Sequence, residues 1–176
     1  MSAKYVFALL MLCASMVSGC YRSASLYPVQ GPMAATAPPP ILAAKMTGVF
    51  SDSGNMSVIL PGGEICKGGW NLVSSAPGQN SPAVNTTPAA NLAPAWDTVY
   101  GPAFYTAHVL GSRLRASGTL TGNKGTTLNV ELYRPETSEL YRPETPELYR
   151  RYTPDGLSEI KGVATDNNGN IYKIVF

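Results

Sequence analysis

Leu114-Arg115-Ala116-Ser117-Gly118-Thr119-Leu120, then Gly122-Asn123-Lys124-Gly125, then Leu128-Asn129-Val130-Glu131-Leu132 is the stretch that decides the fold. Leu114, Ala116, Gly118 and Leu120 alternate with Arg113, Arg115, Ser117 and Thr119, and Leu128, Val130 and Leu132 repeat the pattern after the turn. A period of two is the pleat of a strand with one buried face, and a glycine-bounded tetrapeptide between two such runs signals a hairpin. Arg113 and Arg115 are thereby expected on a solvated strand face. An antiparallel domain follows, and the rest of the chain divides into further strands and the turns that join them.

Immediately downstream an octapeptide recurs: Glu131-Leu132-Tyr133-Arg134-Pro135-Glu136-Thr137-Ser138 returns as Glu139 to Pro146 and, degenerately, as Glu147 to Pro154. Eight residues are too few for a solenoid unit, and the prolines keep the second copy out of a central strand. Residues 131–154 therefore read as a tandem insertion that lengthens a loop after Tyr133. The chain ends in a second hairpin, Ser158–Thr165 and Ile171–Phe176, around Asp166-Asn167-Asn168-Gly169-Asn170. Asn-Gly is a common tight-turn pair, and this turn lacks the alternating ligands and closing glutamate of a calcium loop.

Upstream, Ala43–Val73 reads as a three-stranded meander. Ala44–Phe50 leads to a turn at Ser51-Asp52-Ser53-Gly54. Met56, Val58 and Leu60 then share a face, and Pro61-Gly62-Gly63 turns the chain again. Cys66, Gly68, Trp70 and Leu72 share the next parity, opposite Lys67 and Asn71, so Cys66 and Trp70 are expected in the core. Residues 74–95 are uncharged and rich in Ser, Pro, Asn and Ala, which predicts a long surface loop. Trp96, Val99, Tyr100, Ala103 and Ala107 keep helical spacing, but Gly101-Pro102 interrupts it. A short helix is predicted over Pro102–Leu110. His108, the only histidine, has no partner histidine for a metal site.

Residues 20–43 are different in kind. Pro28, Pro32 and Pro38-Pro39-Pro40, spaced by small residues, predict a semi-extended tether that holds the domain off a membrane. Before it stand Lys4, the apolar run Tyr5–Met16 and the small residues Val17-Ser18-Gly19 ahead of Cys20. Twelve apolar residues are too few for a spanning helix, which needs about 20, so residues 1–19 read as a removable signal peptide.

Val17-Ser18-Gly19-Cys20 resembles the lipobox of bacterial lipoproteins, and the resemblance covers the leader alone. It implies that the Cys20 thiol is acylated and that Cys20 becomes the mature N-terminus, inserted in a lipid bilayer. Several acyl chains on one residue, at about 0.8 kcal/mol per buried methylene, make such an anchor essentially permanent. In lipoproteins of this type an aspartate after the cysteine retains the protein in the inner membrane. Tyr21 therefore implies the outer membrane of a Gram-negative cell.

With Cys13 in the leader and Cys20 committed to lipid, Cys66 is left without a partner for an intramolecular disulfide. A formal charge of +2 without a basic run disfavours nucleic acid. Seventeen glycines, 15 prolines and 10 tyrosines favour strands and turns over helices. The fold expected for 44–176 is mainly β, a small antiparallel sandwich or partly open barrel with one short helix. The whole is similar to small Gram-negative envelope lipoproteins with a glycine-punctuated β-domain. Its expected function is non-enzymatic binding or scaffolding of an envelope protein or ligand, with no cofactor. An integral outer-membrane β-barrel, suggested by the terminal Tyr172, Ile174, Phe176 alternation, is the first alternative. An envelope hydrolase using a serine with His108 and Asp97 is the second.

Overall fold

Strand periodicity places the core. The computed structural model describes residues 21–48, 51–73, 91–112, 114–135 and 160–176. Eight strands follow one another: β1 Tyr21–Gln30, β2 Leu42–Thr47, β3 Ser53–Ile59, β4 Ile65–Leu72, β5 Arg115–Gly122, β6 Thr127–Tyr133, β7 Lys161–Asp166 and β8 Ile171–Val175. Each pairs antiparallel with its successor, and β1 pairs with β8, so the sheet closes into a barrel. Closure removes every unpaired sheet edge, and eight strands enclose an interior just wide enough for side chains to fill.

The interior belongs to one parity of every strand. Leu26, Val58, Leu120, Leu128, Tyr172 and Ile174 are essentially inaccessible to solvent there, with Met46, Met56, Cys66 and Trp70 among them. Lys45, Lys67, Asn71, Asn129 and Lys173 occupy the opposite parity, on the outer wall. The meander, both hairpins, and Cys66 and Trp70 in the core lie where their alternation predicts. Trp70 needs room from two neighbouring strands. A Cβ on Gly54 would sit 2.7 Å from Trp70 Nε1, and one on Gly118 would sit 3.0 Å from Trp70 Cα and Cβ. Trp70 Nε1 donates to the Thr47 carbonyl at 3.1 Å across the notch left by Gly54. Gly54 is therefore a strand residue and not the expected turn glycine. The turn lies at Gly48, with φ of 75°, whose carbonyl accepts from Ser51 N at 2.7 Å.

The tether expected over 20–43 is not what the described residues 21–43 form. Tyr21–Gln30 is a full barrel strand whose Ala24 and Leu26 enter the core. Its proline is tolerated because the register with β8 shifts between Pro28 and Gln30, a bulge where a missing N–H costs no ladder bond. Beyond it, residues 31–36 make turns (Ala34 N to Gly31 O, Thr36 N to Met33 O) and Met33 packs on the core. Two apolar residues at the right parity and a partner strand outweigh a proline-rich composition.

The helix is displaced. Helix α1 spans Ala93–Tyr100, with Pro94 in its first turn and Gly101 ending it at φ of 109°. Its first residues overlap the expected loop 74–95, whose residues 74–90 lie outside the described ones. Within the expected Pro102–Leu110 there is only a π-helical turn, Tyr105–Val109. The Gly101-Pro102 break acts as anticipated, but the stronger apolar residues, Trp96, Val99 and Tyr100, lie before it. Helix α1 packs on the outside of the barrel, where Trp96, Val109, Tyr133 and Val163 form a second small core. Glu131-Leu132-Tyr133, the start of the first repeat copy, completes β6 and is not loop. The repeat from 136 onward, like Arg113, the leader 1–19 and Cys20, lies outside the described residues.

Candidate functional site

Up-and-down connection gives the barrel two ends of opposite character. At one end lie the β1–β2, β3–β4, β5–β6 and β7–β8 turns, and polar side chains seal it. Glu64 accepts from Lys124 N at 2.9 Å, Thr126 N at 3.1 Å and the Thr126 hydroxyl at 2.7 Å. That hydroxyl bond, against the opposing effect of burial, holds the Glu64 carboxyl below its ordinary pKa of 4.5, with the two N–H groups adding to it. Asp166 takes four donors: Asn168 N and Asn170 N at 2.9 Å each, Asn170 Nδ2 at 2.8 Å and the Tyr172 hydroxyl at 2.7 Å. Asn170 Oδ1 in turn accepts from Met33 N at 2.8 Å, which ties down the turns after β1. Asp166 in the Asn-Gly turn is thus saturated by its own chain. Burial, with help from Glu64 and Asp166, pushes the Cys66 thiol up to about 11, so it stays protonated and unreactive at neutral pH.

Outside the wall, Glu131 is a buried acid on the outer face of β6. Trp96 Nε1 donates to its Oε2 at 2.7 Å, and Arg115 Nε lies 3.5 Å from Oε1, an ion pair without hydrogen-bond geometry. Burial raises its pKa, while Trp96 and Arg115 oppose the rise. Arg115 also donates to the Tyr105 hydroxyl at 2.9 Å. Arg115 is therefore not on a solvated face, because α1 and the π-helical turn cover that part of the wall. His108 is exposed, its ring 4.7 Å from Phe104, and Asp97 accepts from Tyr105 N at 3.1 Å. That bond gives Asp97 a structural task in joining the two helical pieces.

The other end is open. A cavity of about 230 Å³ enters the barrel between the ends of β2, β4, β5 and β6, walled by Met46, Trp70, Leu72, Ala116, Leu132 and Ile160. Ser51, Asp52 and Arg134 are its polar lining. A cavity of about 150 Å³ accepts benzene, whereas drug-sized ligands need about 300 Å³ or more. This mouth has room for one ring or a short aliphatic segment. Parity alone places Trp70, Leu72, Ala116 and Leu132 on the inner face. Their meeting at one end depends on non-local strand pairing that no single stretch of sequence reveals.

Fold and cavity together define a closed, eight-stranded, up-and-down antiparallel barrel with an apolar interior, a sealed base and an apolar mouth. Comparison with known proteins finds no matching family model, curated protein or solved structure. Among the described residues no helix is long and apolar enough to cross a membrane, and no cluster of three or more His, Cys, Asp or Glu side chains is placed to hold a metal ion.

Proposed function

We propose that the chain is a lipoprotein of the Gram-negative outer membrane, anchored through acylated Cys20, whose barrel serves as a non-enzymatic binding module. The anchor rests on Val17-Ser18-Gly19-Cys20. The binding role rests on one observation, an apolar mouth with room for a small apolar group. An integral membrane barrel fits less well. Such barrels turn an apolar band outward and a polar lining inward, and this one turns Lys45, Lys67, Asn71 and Lys173 outward around an apolar interior.

Metabolic labelling with a tagged fatty acid should mark wild type and not Cys20→Ser; equal labelling of both would remove the anchor. For the binding role, a small apolar fluorophore should brighten on addition to the wild-type chain. Leu114→Trp, at a half-buried position in the mouth wall, should abolish the response without lowering the melting temperature. An unaltered response would place the dye elsewhere and defeat the binding role.

A further inference from the structure

We infer that the barrel lies on its side on the lipid surface in which its own Cys20 is inserted, with the outer wall of β1 and β2 against the headgroups. This deepens the anchoring proposed above and rests on it. The large apolar side chains that stand exposed among the described residues lie, with Leu110 the one exception, on one half of the wall, from β8 through β1 to β4. Four of them run the length of the β1–β2 wall. Tyr21 is 57% exposed at one end of β1, and Tyr27 and Val29 stand towards the other end. Ile41, the most exposed at 63%, comes next in the register that pairs Leu26 with Leu42, which sets it opposite Tyr27. On the flanks, Ile59 pairs with Ile65 across β3 and β4, and Val175 of β8 pairs with Ser25. An exposed apolar patch that extends over neighbouring strands marks an interaction surface more often than scattered single residues do.

A lipid surface is the occupant this wall fits. Strands β8, β1, β2, β3 and β4 contain no Asp or Glu, and Lys173, Lys45 and Lys67 stand on their outer face. A second copy of the same wall would therefore set lysine against lysine. A folded partner would need a groove to receive a convex wall, whereas a headgroup layer yields to one. Lys45 Nζ lies 5.0 Å from the Tyr21 ring centroid, and that pairing suits the headgroup layer, where the ring takes the apolar side and the ammonium the phosphates. Ser23, Ser25 and Ser57 share the outer face, so the wall rests at headgroup depth and does not enter the hydrocarbon. The chain also enters at this wall. Tyr21 pairs with Thr47 of β2, and one peptide unit, about 3.8 Å between α-carbons, joins it to Cys20. Strand β8 joins β1 only from Ser25, so the first four residues of β1 are held by β2 alone. A strand end paired on one side can bend as the barrel tips onto the wall beside it.

The full lipidated chain, reconstituted in vesicles of phosphatidylglycerol and phosphatidylcholine, allows a matched test. Cys66 is buried and Cys20 acylated, so an environment-sensitive fluorophore labels only an introduced cysteine. Ala43→Cys on β2 and Thr121→Cys on β5 are both exposed and both near the sealed end, on different walls. A barrel standing on either end treats the two probes alike, and a barrel on its side does not. The Ala43→Cys probe should shift to the blue, and the Thr121→Cys probe should keep its aqueous emission. Ile41→Asp or Tyr27→Ser, at exposed positions of the docking wall, should abolish the shift, while Thr119→Asp on β5 should leave it. An acylated chain whose two probes behave alike, or whose shift survives both wall variants, overturns the docking alone. So does a shift that fades as lipid is added at constant protein, which marks contact between copies. A chain whose N-terminal peptide carries no acyl mass overturns the anchor, and the docking falls with it.

Discussion

The two ends of this barrel are closed by different physics. At the sealed end polar side chains are buried, and each acceptor oxygen is satisfied by turn N–H groups or side-chain donors: Glu64 by Lys124 and Thr126, Asp166 by Asn168, Asn170 and Tyr172. At the mouth, apolar side chains surround a space of about 230 Å³ that they do not fill, and the charges sit outside it. A satisfied polar network fixes one geometry and leaves nothing over for a ligand, because unmaking it exposes donors that cost free energy. An underfilled apolar mouth gives up packing that a ligand can restore. On the binding role proposed above, stability and recognition are separated along the barrel axis.

Trp70 is where that separation meets its hardest test, because it lines the mouth and also belongs to the core. It is 4% exposed, its indole is held by Thr47 over Gly54, and its Cα and Cβ lie against Gly118. Trp70→Ala should cost about 3–5 kcal/mol in denaturant melts, since truncating a buried tryptophan typically costs that much. Asn71→Ala, exposed on the outer wall, should stay within about 0.5 kcal/mol. A mild Trp70→Ala would mean that the mouth contributes little to folding.

At the sealed end the corresponding change is Asp166→Asn. It preserves shape but turns an acceptor for four donors into an amide, which sets an N–H₂ against the Asn170 amide or the Tyr172 hydroxyl. A buried donor left unpaired costs about 1–3 kcal/mol. A melt lower by about 2 kcal/mol, with dye binding at the mouth unchanged, is the expected result. Loss of dye binding would show that the two ends are coupled.

How much of this is legible in the sequence follows the range of the interaction. Strands β2 to β8 can be read from alternation and turn residues, because side-chain parity and Asn-Gly or Gly-Gly turns are local signals. Strand β1 is misread since only Ala24 and Leu26 mark its inner face, and its partner β8 lies at the far end of the chain. Closure, the mouth and the burial of Arg115 are equally non-local. Arg115 alternates as a surface residue should, and only the docking of α1 and the π-helical turn on that wall covers it. The proposed processing of Cys20 needs no fold to be read, because a signal of the kind that Val17-Ser18-Gly19-Cys20 resembles is written in covalent order.

Acid titration sharpens the contrast with opposite signs. Glu64, held below its ordinary 4.5, stabilises the fold above that value, and its contribution is lost as pH falls through the folded-state pKa. Glu131, raised by burial, behaves in reverse: it penalises the folded state above about its ordinary value, and the penalty disappears as pH falls. The gap between wild type and Glu64→Gln should therefore narrow on acidification from pH 6 toward pH 3. Across the same window wild type should gain on Glu131→Gln. Wild type failing to lose ground to Glu64→Gln, or failing to gain it on Glu131→Gln, would show that the carboxyl concerned is not in the environment described.

The smallest effects are expected from the rim. Lys45→Ala removes an ammonium 5.0 Å from an exposed tyrosine ring, a contact worth about 0.5–1 kcal/mol at most at such sites. Its stem crosses a wall already paired on both sides, by β1 and β3, so no ladder bond depends on it. Lys67→Ala, its counterpart near the sealed end, lies equally exposed on a strand paired on both sides. Melts of both variants should fall within about 0.5–1 kcal/mol of wild type, as surface substitutions usually do. A loss above about 2 kcal/mol from Lys45→Ala alone would instead make the rim cation a structural clamp on the mouth, and the separation of stability from recognition along the axis would fail at its most exposed point.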